Sequence, residues 1–199
     1  MCAIKLLYLI YYIKYDPTKC NSTGKTSPFF TANEEFCTEF EDFIVDRGGE
    51  VQGNYNAWSF TVYGKINRPK NWILQYKKAT FSGAHILLTS KYQNLLTLAE
   101  WTTLRTAENS GFLIRKRSWT DFFKAWFFKT FKRLKVSNRY MIISKEDNSP
   151  FITELIKVLT PLFKTGEVYR IENKNDKLKI ELRTDQHHFD IFNSITALD

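Results

Sequence analysis

Between Glu50 and Arg117 apolar residues recur at every second position in short runs, and this pattern constrains the fold more than any other feature. Trp58, Phe60 and Val62 alternate with polar neighbours, which places them on one side of a sheet if the chain is extended. Trp72 to Tyr76, Ala84 to Thr89, Leu95 to Leu104 and Phe112 to Arg117 continue as strand-like runs. Gly, Asn, Lys or Ser separates them, and such short breaks suit antiparallel hairpins better than helical crossovers.

Helical periodicity frames this β-rich stretch. Asp16 to Phe30 is rich in Pro, Ser, Thr and Asn and reads as a loop. Thr31 and Glu34 then have capping-box spacing, and Phe36, Phe40, Phe43 and Ile44 repeat on one helical face until Gly48-Gly49 stops the run. Arg139 to Ser144 returns to strand. Ser149-Pro150 opens a helix with Ile152, Leu155, Ile156 and Leu159 on its apolar face. Pro161 should kink or shorten that helix, and Gly166 should end it. Glu167 to Ile171 and Leu178 to Leu182 make a hairpin around Asn173–Asp176, and Asp185 is placed to cap a last helix bearing Phe189, Phe192 and Ile195.

The order strand, helix, Gly-Glu-Val, strand, strand occurs twice. It runs from Lys5 to Tyr63 through Gly49-Glu50-Val51, and from Arg139 to Leu182 through Gly166-Glu167-Val168. The expectation is an α+β fold, a mostly antiparallel sheet with helices packed on one face, built from two βαββ halves. At 199 residues the chain is read as a single α+β domain, 1–199. Its halves are 1–118 and 137–199, joined by a basic aromatic helix over 120–136.

Composition limits the function classes. Aromatic residues are 16% of the chain, enough to fill a large core. The formal net charge is +8, which favours anionic partners. Cys2, Cys20 and Cys37 form no CxxC pair and no metal-ligand spacing, so a reducing compartment and no disulfide framework are expected. The apolar run Leu6 to Ile13 is too short to cross about 30 Å of hydrocarbon and reads as a strand, the alternative being part of a longer membrane helix.

Motifs for chemistry are sparse. Gly24-Lys25-Thr26 resembles the end of a phosphate loop, but Lys19 stands where the first glycine belongs and Pro28 follows. Asp185, His187, His188 and Asp190 cluster at a helix start, where adjacent histidines diverge and cannot ligate a metal together. No nucleophile elbow or cysteine–histidine signature occurs. No catalytic residue, metal site or cofactor is expected, and an enzyme built from distant carboxylates is the least favoured class.

The strongest functional signal is the run Arg115, Lys116, Arg117, Lys124, Lys129, Lys132, Arg133, Lys135 and Arg139, against the single acid Asp121. On a helical wheel Phe123, Phe127, Phe131 and Leu134 form a stripe with Trp126 beside it, while Phe122 and Phe128 fall among the charges. A basic helix with Trp and Phe on its apolar side is the pattern of a membrane-surface helix, although a surface helix packed on its sheet shows amphipathicity too. Arg115, Lys116, Arg117, Lys124, Trp126, Phe128, Lys129, Lys132, Arg133 and Lys135 are therefore the candidate anionic-surface contacts.

In the last third of the chain, Arg139-Tyr-Met-Ile-Ile-Ser-Lys-Glu-Asp, the helix to Leu162 and Leu178-Lys-Ile-Glu-Leu resemble an uncharacterised family of bacterial domains, some membrane-anchored. The resemblance implies the fold and membrane proximity, and no site residues. The expected function is a non-enzymatic binding or accessory domain, cytoplasmic and peripheral at the inner leaflet. Its expected partner is an anionic lipid or an acidic protein. A protein- or nucleic-acid-binding domain using the same basic patch is the alternative, with nucleic acid ranked lower.

Overall fold

The computed structural model describes residues 26, 28–57, 59–67, 71–79, 97–104, 111–121, 130–144 and 149–198. Among them the elements run α1 (Pro28–Val45), β1 (Glu50–Tyr55), β2 (Ser59–Ile66), β3 (Trp72–Ala79), β4 (Thr97–Leu104), β5 (Phe112–Lys116), β6 (Phe131–Arg133), β7 (Tyr140–Ser144), α2 (Pro150–Val158), α3 (Thr160–Thr165), β8 (Val168–Lys174), β9 (Lys177–Arg183) and α4 (Phe189–Thr196). The nine strands form one antiparallel sheet in the order β1-β2-β3-β4-β9-β8-β5-β7-β6. An α+β fold with an antiparallel sheet is what the period-two runs called for.

Alternation along each strand decides which side is core. Phe60, Val62 and Ile66 of β2, Trp72, Leu74 and Tyr76 of β3, and Leu178, Ile180 and Leu182 of β9 are buried in register. They join one cluster with Phe40, Phe43 and Ile44 of α1, Leu155 of α2, Leu162 and Phe163 of α3, and Phe192 and Ile195 of α4. The helices thus share one face of the sheet. Each buried large apolar side chain contributes about 1.5–3 kcal/mol, and their sum opposes the conformational entropy lost by the ordered chain. Gly64 fills the buried position between Val62 and Ile66 of β2 because α1 presses there: a Cβ would lie 2.6 Å from Ile44 Cγ1.

Polar handles inside this core are paired. The Trp101 indole N–H donates to the Tyr76 hydroxyl at 3.0 Å, and that hydroxyl donates to the His187 carbonyl at 2.6 Å. Burial pushes the Tyr76 phenol far above its usual range, so it stays a neutral donor.

The second half contains a split crossover. The chain goes from β7 through α2 and α3 to β8, and β5 fills the gap between those two strands, antiparallel to both. Pro161 does shorten the helix: α2 ends at Val158, α3 starts at Thr160, and Leu159 at the joint is buried. Gly166 ends α3 in the left-handed conformation, φ 85°.

Four local expectations are corrected. The first helix starts at Pro28, so Thr31 lies inside it and is not its cap; proline's fixed φ and missing N–H suit a first turn. The last helix starts at Phe189, preceded by His188 at φ 54°, so His188 and not Asp185 holds the cap position. Residues 131–136 are not helical. Phe131–Arg133 instead pair with Ile143, Ile142 and Met141 of β7, and the Leu134 N–H donates to the Tyr140 carbonyl. The free edge of β7 satisfies backbone groups that an isolated helical turn would satisfy locally, so the amphipathic pattern loses to sheet pairing.

The fourth correction concerns the repeat. Gly48, φ 64°, is the residue matching Gly166, because the next N–H in each case reaches back five residues: Gly49 to the Ile44 carbonyl and Glu167 to the Leu162 carbonyl, both at 3.0 Å. The correspondence therefore shifts by one, aligning Glu50 with Val168, the first residues of β1 and β8. Helix, left-handed glycine and hairpin occur twice. The proposed strands Leu6 to Ile13 and Ala84 to Thr89, Trp58, the phosphate-loop lookalike up to Lys25, and 122–129 of the basic helix lie outside the described residues.

Candidate functional site

Four chain segments meet where β5 and β9 end and β7 and β8 begin, around the turn Gly166–Val168. Lys116, the last residue of β5, stands opposite Tyr140, the first of β7. The Tyr140 hydroxyl donates to the Val168 carbonyl at 2.9 Å, and the Arg183 N–H donates to the Glu167 carbonyl at 2.8 Å. A Cβ placed on Gly166 would lie 3.4 Å from the Arg139 guanidinium. Sheet pairing and one glycine turn thus gather Lys116, Arg139 and Arg183 from three distant parts of the sequence.

Among the described residues none of the three makes an ion pair, and all are exposed. Arg183 lies over the Tyr169 ring at 4.3 Å, a cation–π contact that leaves its charge in place. Burial and then the like charges of Arg183 and Arg139 hold the Lys116 ammonium below the ordinary lysine range.

Neighbouring groups extend the basic end. The Arg117 N–H donates to the Arg139 carbonyl at 2.8 Å, and its guanidinium donates to the Asn138 carbonyl at 3.1 Å. Lys135 is exposed in the loop between β6 and β7 at this same end. Trp119, 80% exposed, follows two residues after Arg117.

The nearby carboxylate is already engaged. Glu167 accepts from His188 Nε2 at 2.6 Å, and the Thr184 hydroxyl lies 2.9 Å from the same nitrogen. Burial pushes the Glu167 carboxyl up, but hydrogen bonds from Thr184, Thr165 and His188 outweigh it and bring its pKa below the usual carboxylate value. Carboxylate and hydroxyl share one ring nitrogen, so this is not the relay in which each imidazole nitrogen serves a different partner. It anchors His188, and with it the start of α4, to the corner.

His187 turns the other way. Its ring stacks on Phe36 with centroids 3.7 Å apart, and Nε2 lies 3.0 Å from the Phe36 carbonyl. A carbonyl only accepts, so Nε2 carries the proton. Nδ1 is then an acceptor in the neutral ring, and its 3.5 Å approach to Glu39 is no hydrogen bond. Burial lowers the His187 pKa to about 4, so the ring is neutral near pH 7. Both histidines are structural.

Of the sequence candidates, Lys116, Arg117 and Lys135 are brought to this end of the sheet. Lys132 and Arg133 run along β6, beside it. Arg115 lies on the face opposite the helices and is held bidentate by buried Asp121, with both N···O distances 2.7 Å. Lys124, Trp126, Phe128 and Lys129 lie outside the described residues. Sequence reasoning missed Arg183 and Trp119, and it counted Arg139 in the basic run without making it a candidate contact. Trp119 stands one residue before the segment placed on the wheel, and nothing local marks Arg183, whose role depends on β9 ending beside β8.

Among the described residues no group of His, Cys, Asp and Glu is arranged to hold a metal, and no helix is long and apolar enough to cross a membrane. No protein-family model matches the chain, and no curated protein matches it.

Proposed function

We propose that the chain is a non-enzymatic binding domain that docks on an anionic surface, the inner leaflet of a membrane, through the basic end of its sheet. The observation carrying this reading is the gathering of Lys116, Arg139 and Arg183 without a paired carboxylate among the described residues, next to Arg117, Lys135 and exposed Trp119. Each cation near an anionic leaflet adds about 1 kcal/mol of attraction, and Trp is suited to the headgroup level, where its ring is half-immersed. His187 and His188, which invite a metal or acid–base reading, are committed to contacts inside the fold.

Co-sedimentation with vesicles of mixed neutral and anionic lipid tests the reading. The intact chain should bind anionic vesicles at low salt, release at high salt, and ignore neutral vesicles. Trp119→Ala should weaken binding several-fold without changing the salt dependence. Failure to bind anionic vesicles at low salt would sink the membrane reading.

A further inference from the structure

The basic end has a finer feature than net charge. Its three cations, one ammonium and two guanidiniums, come from segments that meet at a single backbone turn, near enough for Arg183 and Arg139 to act on the Lys116 charge. Arg139 lies against Gly166, where only a hydrogen occupies the space a side chain would take. Arg183 is fixed through its own backbone to Glu167, and Lys116 through its pairing with Tyr140, whose hydroxyl is tied to Val168. Paired strands and turns therefore hold all three backbones in place, so binding has only the side chains to order, at about 0.5–1.5 kcal/mol each. Glu167, the carboxylate of that turn, is turned to His188 and Thr184.

We propose that Lys116, Arg139 and Arg183 form a seat for a phosphate monoester. The proposal rests on the reading that this end of the sheet is the binding surface, and it names the group bound there. Three cations call for a multiply charged partner. A monoester carries about −1.5 to −2 at pH 7 with three acceptor oxygens, whereas a carboxylate or a lipid phosphodiester carries a single charge. Planar guanidiniums grip such oxygens in pairs, and the ammonium adds a point charge. Burial first, and then the like charges of Arg183 and Arg139, lower the Lys116 pKa, and an arriving anion offsets the like-charge part.

A monoester is available from a lipid headgroup or from a soluble compound, and two measurements on the full chain separate them. In the first, inorganic phosphate is titrated against chloride of matched ionic strength while backbone amide shifts are followed. Saturable shifts confined to residues 116–117, 139–140, 166–169 and 183–184 are expected. In the second, vesicles containing a monoester lipid are compared with vesicles of equal surface charge containing only phosphodiester lipid. Tighter binding to the monoester vesicles assigns the lipid source, whereas saturable phosphate binding without any vesicle binding assigns a soluble one and ends the membrane reading instead.

Arg139→Gln/Arg183→Gln should weaken phosphate binding by at least about tenfold, since each lost charge-assisted contact has a large effect on affinity. Lys65→Gln/Lys77→Gln, which removes equal charge on β2 and β3, should leave it within about twofold. Equal losses in the two variants, or phosphate shifts no larger than those from chloride, would overturn the seat while leaving nonspecific anionic docking intact.

Discussion

The two helix-to-hairpin corners use one backbone device for different ends. At the first, Gly48 takes the left-handed conformation and the Gly49 N–H reaches back to Ile44; at the second, Gly166 and Glu167 do the same with Leu162. Surroundings separate them. The first corner is sealed: a Cβ on Gly49 would lie 2.5 Å from the Lys65 carbonyl and 2.7 Å from Ile44 Cγ2. Its arginine, Arg47, stacks 3.6 Å from the Phe43 ring centroid, donates to the Phe43 carbonyl and reaches Asn193. At the second corner the position of Gly49 is a glutamate with room to bond His188, and Arg139 and Arg183 make no ion pair among the described residues. A helix stop is thus a scaffold whose role is set by which strands arrive beside it.

The sharpest way to break this comparison is a methyl group. Gly49→Ala should cost about 3 kcal/mol or more, because two of the clashing atoms are backbone carbonyls of packed elements. Glu167→Ala, at the equivalent site, should cost less, about 1.5–2 kcal/mol, the low end for hydrogen bonds to a part-exposed carboxylate. Urea midpoints for the two variants check this, and equal losses would show that the corners are packed alike.

Acid probes the two adjacent histidines, each of which serves one region. His187 has a folded pKa of about 4 against 6.5 for the free side chain. Between those values the unfolded chain takes up a proton that the folded chain refuses. The His187 contribution is therefore complete above pH 6.5 and is lost as pH falls toward 4, by up to about 3 kcal/mol. Urea melts at pH 7 and about pH 4.5 should show the drop, and His187→Gln should flatten it; an unchanged slope in that variant would assign the acid sensitivity to another group.

The smallest effects compare arginines. Arg47→Gln should cost about 1 kcal/mol through its lost stacking and hydrogen bonds. Arg139→Gln should stay within about 0.5 kcal/mol, because an exposed cation with no ion pair among the described residues stabilises little. Thermal melts of the two variants distinguish them, and a large loss for Arg139→Gln would mean that the second corner is held by its charges and not merely lined by them.

Much of the fold was legible because hydrogen-bonding geometry imposes its period on the residues that fill it. The Phe40–Phe43–Ile44 face, the alternation in β3 and β9, the break at Pro161 and the stop at Gly166 follow from local sequence. Misreadings arose where a distant partner overrode a local preference. Phe131 to Leu134 fits a helical stripe in isolation, yet β7 offers it a strand's hydrogen bonds. Asp185 looks like a cap, but Glu167 and Thr184 hold His188 at the helix start instead.

The candidate site was half legible. Lys116, Arg117 and Lys135 belong to one basic run, so counting charges found them. By itself the sequence determined a basic, aromatic-rich chain that must build an antiparallel sheet covered by helices, because apolar periodicity and stop residues act over a few residues at a time. Only the tertiary structure decided that β5 slips between β7 and β8 and that Arg183 ends beside Lys116 and Arg139. Strand order is fixed by which edges close the core with their backbone groups paired, a condition on the whole sheet that no single segment carries.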